Sequence, residues 1–205
     1  MDREKFLEAK IIILGASNVG KTSIAIRFCR GTFPRGQDAT VGITHLQQVV
    51  RLKGHSIKFL IYDTAGQERF ESLAASYFRA ADAAILVYDL TRKETIGKAR
   101  KWHQELKQTT SKPVLLAVVG NKADLVPPSQ RRSEEAELFA EEIGALHMCV
   151  SASADENISA LFTWVAERLN PSLLLEPDPT ALQNRGLSIR DIHVPETAQS
   201  SCLSC

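Results

Sequence analysis

Three short runs of this chain carry residue types that handle phosphate, a divalent cation and a purine base. The first, Gly15 to Thr22, reads GASNVGKT and follows the apolar run AKIIIL. It fits G-x-x-x-x-G-K-[ST], with a strand pattern before it and a helix pattern after it. In such a turn the backbone N–H groups of Ser17, Asn18, Val19, Gly20, Lys21, Thr22 and Ser23 wrap phosphates, and the helix start favours the added negative charge. The Lys21 ammonium suits β- and γ-phosphate oxygens, and the Thr22 hydroxyl suits Mg²⁺. Asn18 tolerates the left-handed backbone that the turn needs. Ser17 stands where a side chain can crowd the γ-phosphate.

The second run, Asp63 to Glu68, reads DTAGQE at the end of the apolar stretch IKFLIYD. Asp63 can hold Mg²⁺ through water. Gly66, with no side chain, can bring its N–H close to a terminal phosphate. The Gln67 amide both donates and accepts hydrogen bonds, so it can orient a water for in-line attack. The third run, Asn121-Lys122-Ala123-Asp124, follows VLLAVVG. The Asp124 carboxylate can accept from the N1 and N2 edge of guanine, a donor pair that adenine lacks. Losing such a buried polar match is costly, so this residue selects guanine over adenine.

Elements of a particular kind must position these runs. KIIILG, IKFLIYD, AAILVYDL and VLLAVVGN are apolar nearly throughout, as central strands of a parallel sheet covered on both faces are. HMCVSA is a shorter strand candidate. Thr44 to Leu52 has mixed polarity and reads as an edge strand, turned by Lys53-Gly54-His55 into IKFLIYD. Helical stripes run through Ile96, Ala99, Trp102, His103 and Leu106, and through Ile158, Leu161, Phe162, Val165, Ala166 and Leu169. A third covers Ala136, Phe139, Ala140 and Ile143, with Ser133 as its N-cap and Glu134 and Glu135 in its first turn. The alternation predicts an α/β fold of the P-loop NTPase kind. Its sheet is doubly wound, mostly parallel and six-stranded, with one antiparallel edge strand, helices on both faces and ligands at the carboxyl ends of the strands.

The chain has 205 residues, 44% of them hydrophobic and 24% charged, with a net charge of +1 and no dense basic block. That gives no reason to expect a nucleic-acid partner. The charged start MDREKFLEAK is unlike a signal peptide, and no apolar run has the length of a membrane span. Cys29 and Cys149 read as small buried thiols. Residues 1–170 are expected to form the catalytic domain. Residues 171–205 hold Pro171, Pro177, Pro179 and Pro195 without periodicity, and read as a flexible tail.

The ordered set GASNVGKT, Thr40, DTAGQE, NKAD and Ser151-Ala152 resembles the Ras superfamily of small GTPases over roughly residues 8 to 170. By that resemblance Thr40 closes over the γ-phosphate and Mg²⁺, and Phe33 lies against the guanine. Lys122 covers the base, and the Ala152 N–H meets the guanine oxygen. Within the superfamily the chain looks like a Rab protein, on YDTAGQERF, Tyr77-Phe78-Arg79, LVYDLT and a cysteine-bearing end. SLA after DTAGQERF, together with NKADL, is similar to the endosomal branch. The usual tryptophan before DTAGQE is Tyr62 here, and the usual aromatic five residues after the switch threonine is His45. With Tyr77 these form the surface that Rab effectors read. Ser153 stands where the family has a lysine.

The resemblance implies a monomeric GTP/GDP switch whose loops near 35–46 and 64–78 are ordered by the γ-phosphate and Mg²⁺ and released on hydrolysis. The implied partners are an exchange factor, a GTPase-activating protein, an escort protein, a GDP-dissociation inhibitor and GTP-dependent effectors. Arg69 and Arg79 read as surface or packing residues, so intrinsic hydrolysis is expected to be slow. Cys202 and Cys205, in the end C-L-S-C, are the implied prenylation sites, with Ile192-His193-Val194 resembling the escort-protein element. Two lipids are needed for anchoring, because residues 171–205 hold two arginines against four acidic residues. The implied place of work is the cytoplasmic face of intracellular membranes, with the organelle left open, in exchange with cytosol. Two alternatives stay open: a nucleotide-stabilised membrane scaffold that does not hydrolyse, and a P-loop kinase or ATPase, which NKAD opposes.

Overall fold

The structure, a computed structural model, describes residues 7–34, 43–52, 55–64 and 78–169. In chain order these give β1 (Leu7–Gly15), α1 (Lys21–Arg30), β2 (Ile43–Leu52), β3 (His55–Thr64), β4 (Ala83–Asp89) and α2 (Thr95–Thr109). There follow β5 (Leu115–Asn121), α3 (Glu134–Glu142), β6 (Leu146–Cys149) and α4 (Ile158–Leu169). The six strands form one sheet in the order β2-β3-β1-β4-β5-β6. Only β2 runs antiparallel, paired with β3 from Ile43↔Thr64 to Leu52↔His55. The α/β architecture is therefore the expected one, with its antiparallel strand at the expected edge.

The apolar runs explain the layering. Side chains alternate across a strand, so β1 sends Ile11 and Ile13 to one face and Ile12 and Leu14 to the other, all fully buried. The first face is covered by α1 and α4 through Ile24, Phe162 and Val165. The second is covered by α2 and α3 through Ala99, Trp102 and Phe139. On the first face Phe162 stacks on Phe28, ring centroids 3.7 Å apart and 13° from parallel, with Phe59 at 6.3 Å. Fully burying one such ring contributes about 1.5–3 kcal/mol relative to exposing it.

Local signals hold at the helix ends. The Ser133 hydroxyl caps α3 by accepting from the Ala136 N–H at 3.4 Å, with Glu134 and Glu135 in the first turn. One difference lies at the start of β1, which begins at Leu7 and not at Lys10. The polar residues there continue the ladder with β3, Leu7 opposite Ile57 and Glu8 opposite Lys58, and the Glu8 carboxylate meets the Lys58 ammonium at 3.0 Å. Cys29 and Cys149 are half-buried, not fully enclosed. The carboxyl ends of β1, β3, β4 and β5 are Gly15, Thr64, Asp89 and Asn121, so all three chemical motifs emerge on one rim of the sheet.

Candidate nucleotide-binding site

Beyond Gly15 the chain turns through Asn18, at φ 63°, and Gly20, at φ 93°, into α1. Asn18 thus takes the left-handed backbone expected of it. A Cβ at Gly20 would overlap the Asn121 side-chain amide, and one at Gly15 the Val87 carbonyl of β4. Both positions need glycine on space as well as on dihedral angle. Ser17 and Asn18 are exposed, while Val19 and Lys21 are buried. The Lys21 ammonium donates to the carbonyls of Gly15 (3.1 Å) and Ala16 (2.8 Å), so the loop is curled around it. Burial lowers the Lys21 pKa to about 8, against the opposing pull of the Asp63 carboxylate. A phosphate placed here would favour the protonated cation again.

Next to Lys21, the Thr22 hydroxyl donates to Asp63 Oδ2 at 2.5 Å. Asp63 is fully buried at the end of β3, and its Oδ1 has no hydrogen-bond partner among the described residues. Burial pushes the Asp63 pKa up, with the Thr22 hydrogen bond and the Lys21 charge opposing. A buried carboxylate oxygen without a partner beside a hydroxyl is a donor set that fits Mg²⁺, a hard cation that takes oxygen ligands and keeps several waters. Among the described residues no three His, Cys, Asp or Glu side chains converge on one point. Further oxygens for such an ion would come from water, phosphate or side chains outside the described residues.

The base-reading motif begins at Asn121, buried at the end of β5. Its amide nitrogen donates to the Val19 carbonyl at 2.8 Å, and its oxygen accepts from the Ala152 N–H at 3.2 Å. One side chain therefore ties the phosphate loop to the loop after β6. The Ala152 N–H, expected at the guanine oxygen, is bonded here to Asn121. Lys122 has left-handed backbone, φ 70°, and Asp124 lies in the 3-10 turn Ala123–Leu125. The Ser151 hydroxyl donates to Asp124 Oδ1 at 2.5 Å and accepts from the Ala154 N–H at 2.9 Å, which fixes one carboxylate oxygen. Phe33 is 40% exposed, two residues beyond Gly31, which caps α1.

A third carboxylate at this rim was not singled out by its motif. Asp89, fully buried at the end of β4, accepts from the Lys122 ammonium (2.6 Å), Arg92 Nε (3.1 Å), and the N–H (2.9 Å) and hydroxyl (2.6 Å) of Thr91. Burial would raise its pKa, but the bonds from Lys122, Thr91 and Arg92 outweigh it and hold the carboxyl below its ordinary range. Arg92 also reaches the Ser17 carbonyl at 3.4 Å. Asp89 lies in LVYDLT, a stretch whose polar residues carry no periodicity, so only the folded contacts identify it.

At the outer edge, His45 on β2 and Tyr62 on β3 are cross-strand partners, ring centroids 5.1 Å apart. His45 is exposed and Tyr62 half-buried. Thr40, Gly66, Gln67, Tyr77, Cys202 and Cys205 lie outside the described residues, as do residues 171–205. Among the described residues no helix is long and apolar enough to cross a membrane.

Comparison with known proteins gives a consistent set of likenesses. A family model described as "Ras family" matches residues 10–171. The Ras-related protein RabJ of Dictyostelium discoideum is 39% identical over 163 residues, which are 80% of this chain and 64% of that protein. The match thus spans under two thirds of RabJ's own length. The Ras-related protein Rab5 of Nicotiana tabacum is 41% identical over 185 residues, which are 86% of this chain and 92% of that protein.

Proposed function

The chain belongs to the Ras family, as a small GTPase of the Rab kind, and from that membership we propose that it is a switch that binds GTP and hydrolyses it to GDP and phosphate. The observation that carries the proposal is the Asn121 amide, bonded to Val19 on the phosphate loop and to Ala152 on the loop beside Asp124. A single group that joins the two loops can hold the phosphates and the base of one nucleotide at a fixed separation.

In this proposal the N–H groups from Ser17 to Ser23 and the Lys21 ammonium bind the phosphates. Asp124, oriented by Ser151, accepts from the guanine edge, while Phe33, Lys122 and Ala152 enclose the base. Thr22, Asp63 and Thr40 would hold Mg²⁺, which when bound neutralises charge on the β- and γ-phosphates. Gln67 orients a water whose oxygen attacks the γ-phosphorus, and the bond to the β–γ bridging oxygen breaks. Thr40 and Gly66 sense the γ-phosphate, so its loss frees both switch loops.

His45, Tyr62 and Tyr77 would meet GTP-dependent effectors, and Cys202 and Cys205 would carry prenyl groups that anchor the chain to endosomal membranes. An activating protein would supply the missing charge in trans, worth on the order of 10³–10⁵ in rate. Single-turnover hydrolysis of γ-labelled GTP, with ATP as competitor, tests the core of the proposal. Slow phosphate release that ATP does not inhibit is expected, slower still in Gln67→Leu. GTP held without turnover under any condition would leave the scaffold alternative in its place.

A further inference from the structure

α1 ends one turn after Arg27, and three backbone carbonyls converge on that side chain. Arg27 Nε donates to Ala152 O at 2.8 Å, Nη2 to Ser153 O at 3.0 Å and Nη1 to Gly31 O at 2.8 Å. The Arg27 carbonyl in turn accepts from the Gly31 N–H at 2.9 Å. A guanidinium presents its N–H groups in one rigid plane. Satisfying acceptors from two segments therefore fixes those segments relative to one another.

The two segments matter by what lies next to them. Ala152 and Ser153, 125 and 126 residues away from Arg27 in sequence, directly follow Ser151, whose hydroxyl holds Asp124. Gly31 leads in two residues to Phe33. Ala152 is thereby gripped from both sides of its peptide: its N–H by Asn121 and its carbonyl by Arg27. Asn121 belongs to a base-reading motif, whereas Arg27 lies in the last turn of an ordinary amphipathic helix.

We propose that Arg27 is a positioning residue for the base end of the site, which fastens the 151–153 loop to the end of α1 and so slows release of the nucleotide. Resting on the guanine reading of Asp124, the proposal makes nucleotide retention depend on a side chain with no base or phosphate contact of its own. Arg27→Met keeps an unbranched stem of similar length and deletes all three donors. Arg27→Lys keeps the charge but cannot reach three carbonyls from one plane.

Release of a fluorescent GDP analogue, measured with Mg²⁺ present and with Mg²⁺ chelated, tests it. Arg27→Met should speed release by roughly 5- to 50-fold, the scale of a coupling between two sites, and Arg27→Lys by a smaller factor. The factor should be the same in both conditions, because the clamp is at the base end and the Thr22–Asp63 pair is at the other. Unchanged release in both variants overturns the proposal, and so does an acceleration that disappears on chelation. Should Arg27→Met not fold, Arg27→Lys decides alone, with wild-type retention overturning the proposal. A wild-type chain that retains no guanine nucleotide overturns the guanine reading itself. One that retains GDP no better than either variant overturns only the role of Arg27.

Discussion

Thr22 on α1 and Asp63 at the end of β3 are 41 residues apart in sequence and share a hydrogen bond of 2.5 Å, donated by the threonine hydroxyl to one oxygen of the carboxylate. The other oxygen of Asp63 is buried and has no partner among the described residues. A carboxylate half satisfied in a dry place is costly unless a cation completes it.

Asp63→Asn keeps the shape and removes the charge. It should weaken Mg²⁺ affinity by roughly 10- to 100-fold, the range for a group supporting a metal from outside its inner ligands. Titrating Mg²⁺ against the rate of GDP release reads the shift. Thr22→Asn should lower affinity for Mg²⁺–GTP more than for GDP, and equal losses would remove Thr22 from the cation's surroundings.

Lys21 gives a proton signature. Its folded pKa of about 8 lies below the ordinary lysine value of 10.5, so the unfolded chain binds more protons between those two values. The nucleotide-free fold should then gain stability as pH rises from about 8 towards 10.5, and none of this gain should appear well below 8. A bound polyphosphate favours the cation, so GDP binding near pH 8.5 should take up protons. Calorimetry in buffers of different ionisation enthalpy measures that uptake, and a buffer-independent heat would contradict the burial argument.

Asp124→Asn exchanges an acceptor for a donor against the guanine edge. Affinity for GDP should fall by roughly 1–3 kcal/mol, the cost of one buried donor left facing another donor. Xanthine nucleotides, which present an oxygen where guanine presents an amine, should gain. Competition binding with GDP and xanthosine diphosphate checks both directions at once.

Phe162→Ala should cost about 3–5 kcal/mol of folding stability, because the ring is fully buried between Phe28 and Phe59. Urea unfolding at a fixed, saturating GDP concentration measures it. A loss under about 1 kcal/mol would show that α4 is held mainly by other contacts.

Much of this fold could be read in sequence because its signals are local. Apolar runs of strand length, the Ser133 cap and the left-handed Asn18 each depend on a few neighbouring residues. What escaped was long-range. Nothing near Arg27 marks it as a partner of Ala152 and Ser153, since those carbonyls arrive from the far end of the domain. Asp89 escaped for a related reason: Lys122, 33 residues away, supplies one of its two 2.6 Å bonds, the other coming from the Thr91 hydroxyl. The order of the strands, with β1 between β3 and β4, follows from packing of the whole sheet. The extension of β1 back to Leu7 comes from backbone pairing with β3 that side-chain polarity does not report.

The position of β1 has a consequence for how the site comes apart. β1 is flanked on both sides and its residues Ile11 to Leu14 are fully buried, so its amides should exchange with solvent water only when the whole domain opens. β6 is four residues long and lies at the sheet's margin, where opening costs least. The phosphate loop springs from the first and the 151–153 loop from the second. The two ends of the bound nucleotide are thus held with unequal durability, and departure should begin at the base, at the margin that Arg27 fastens.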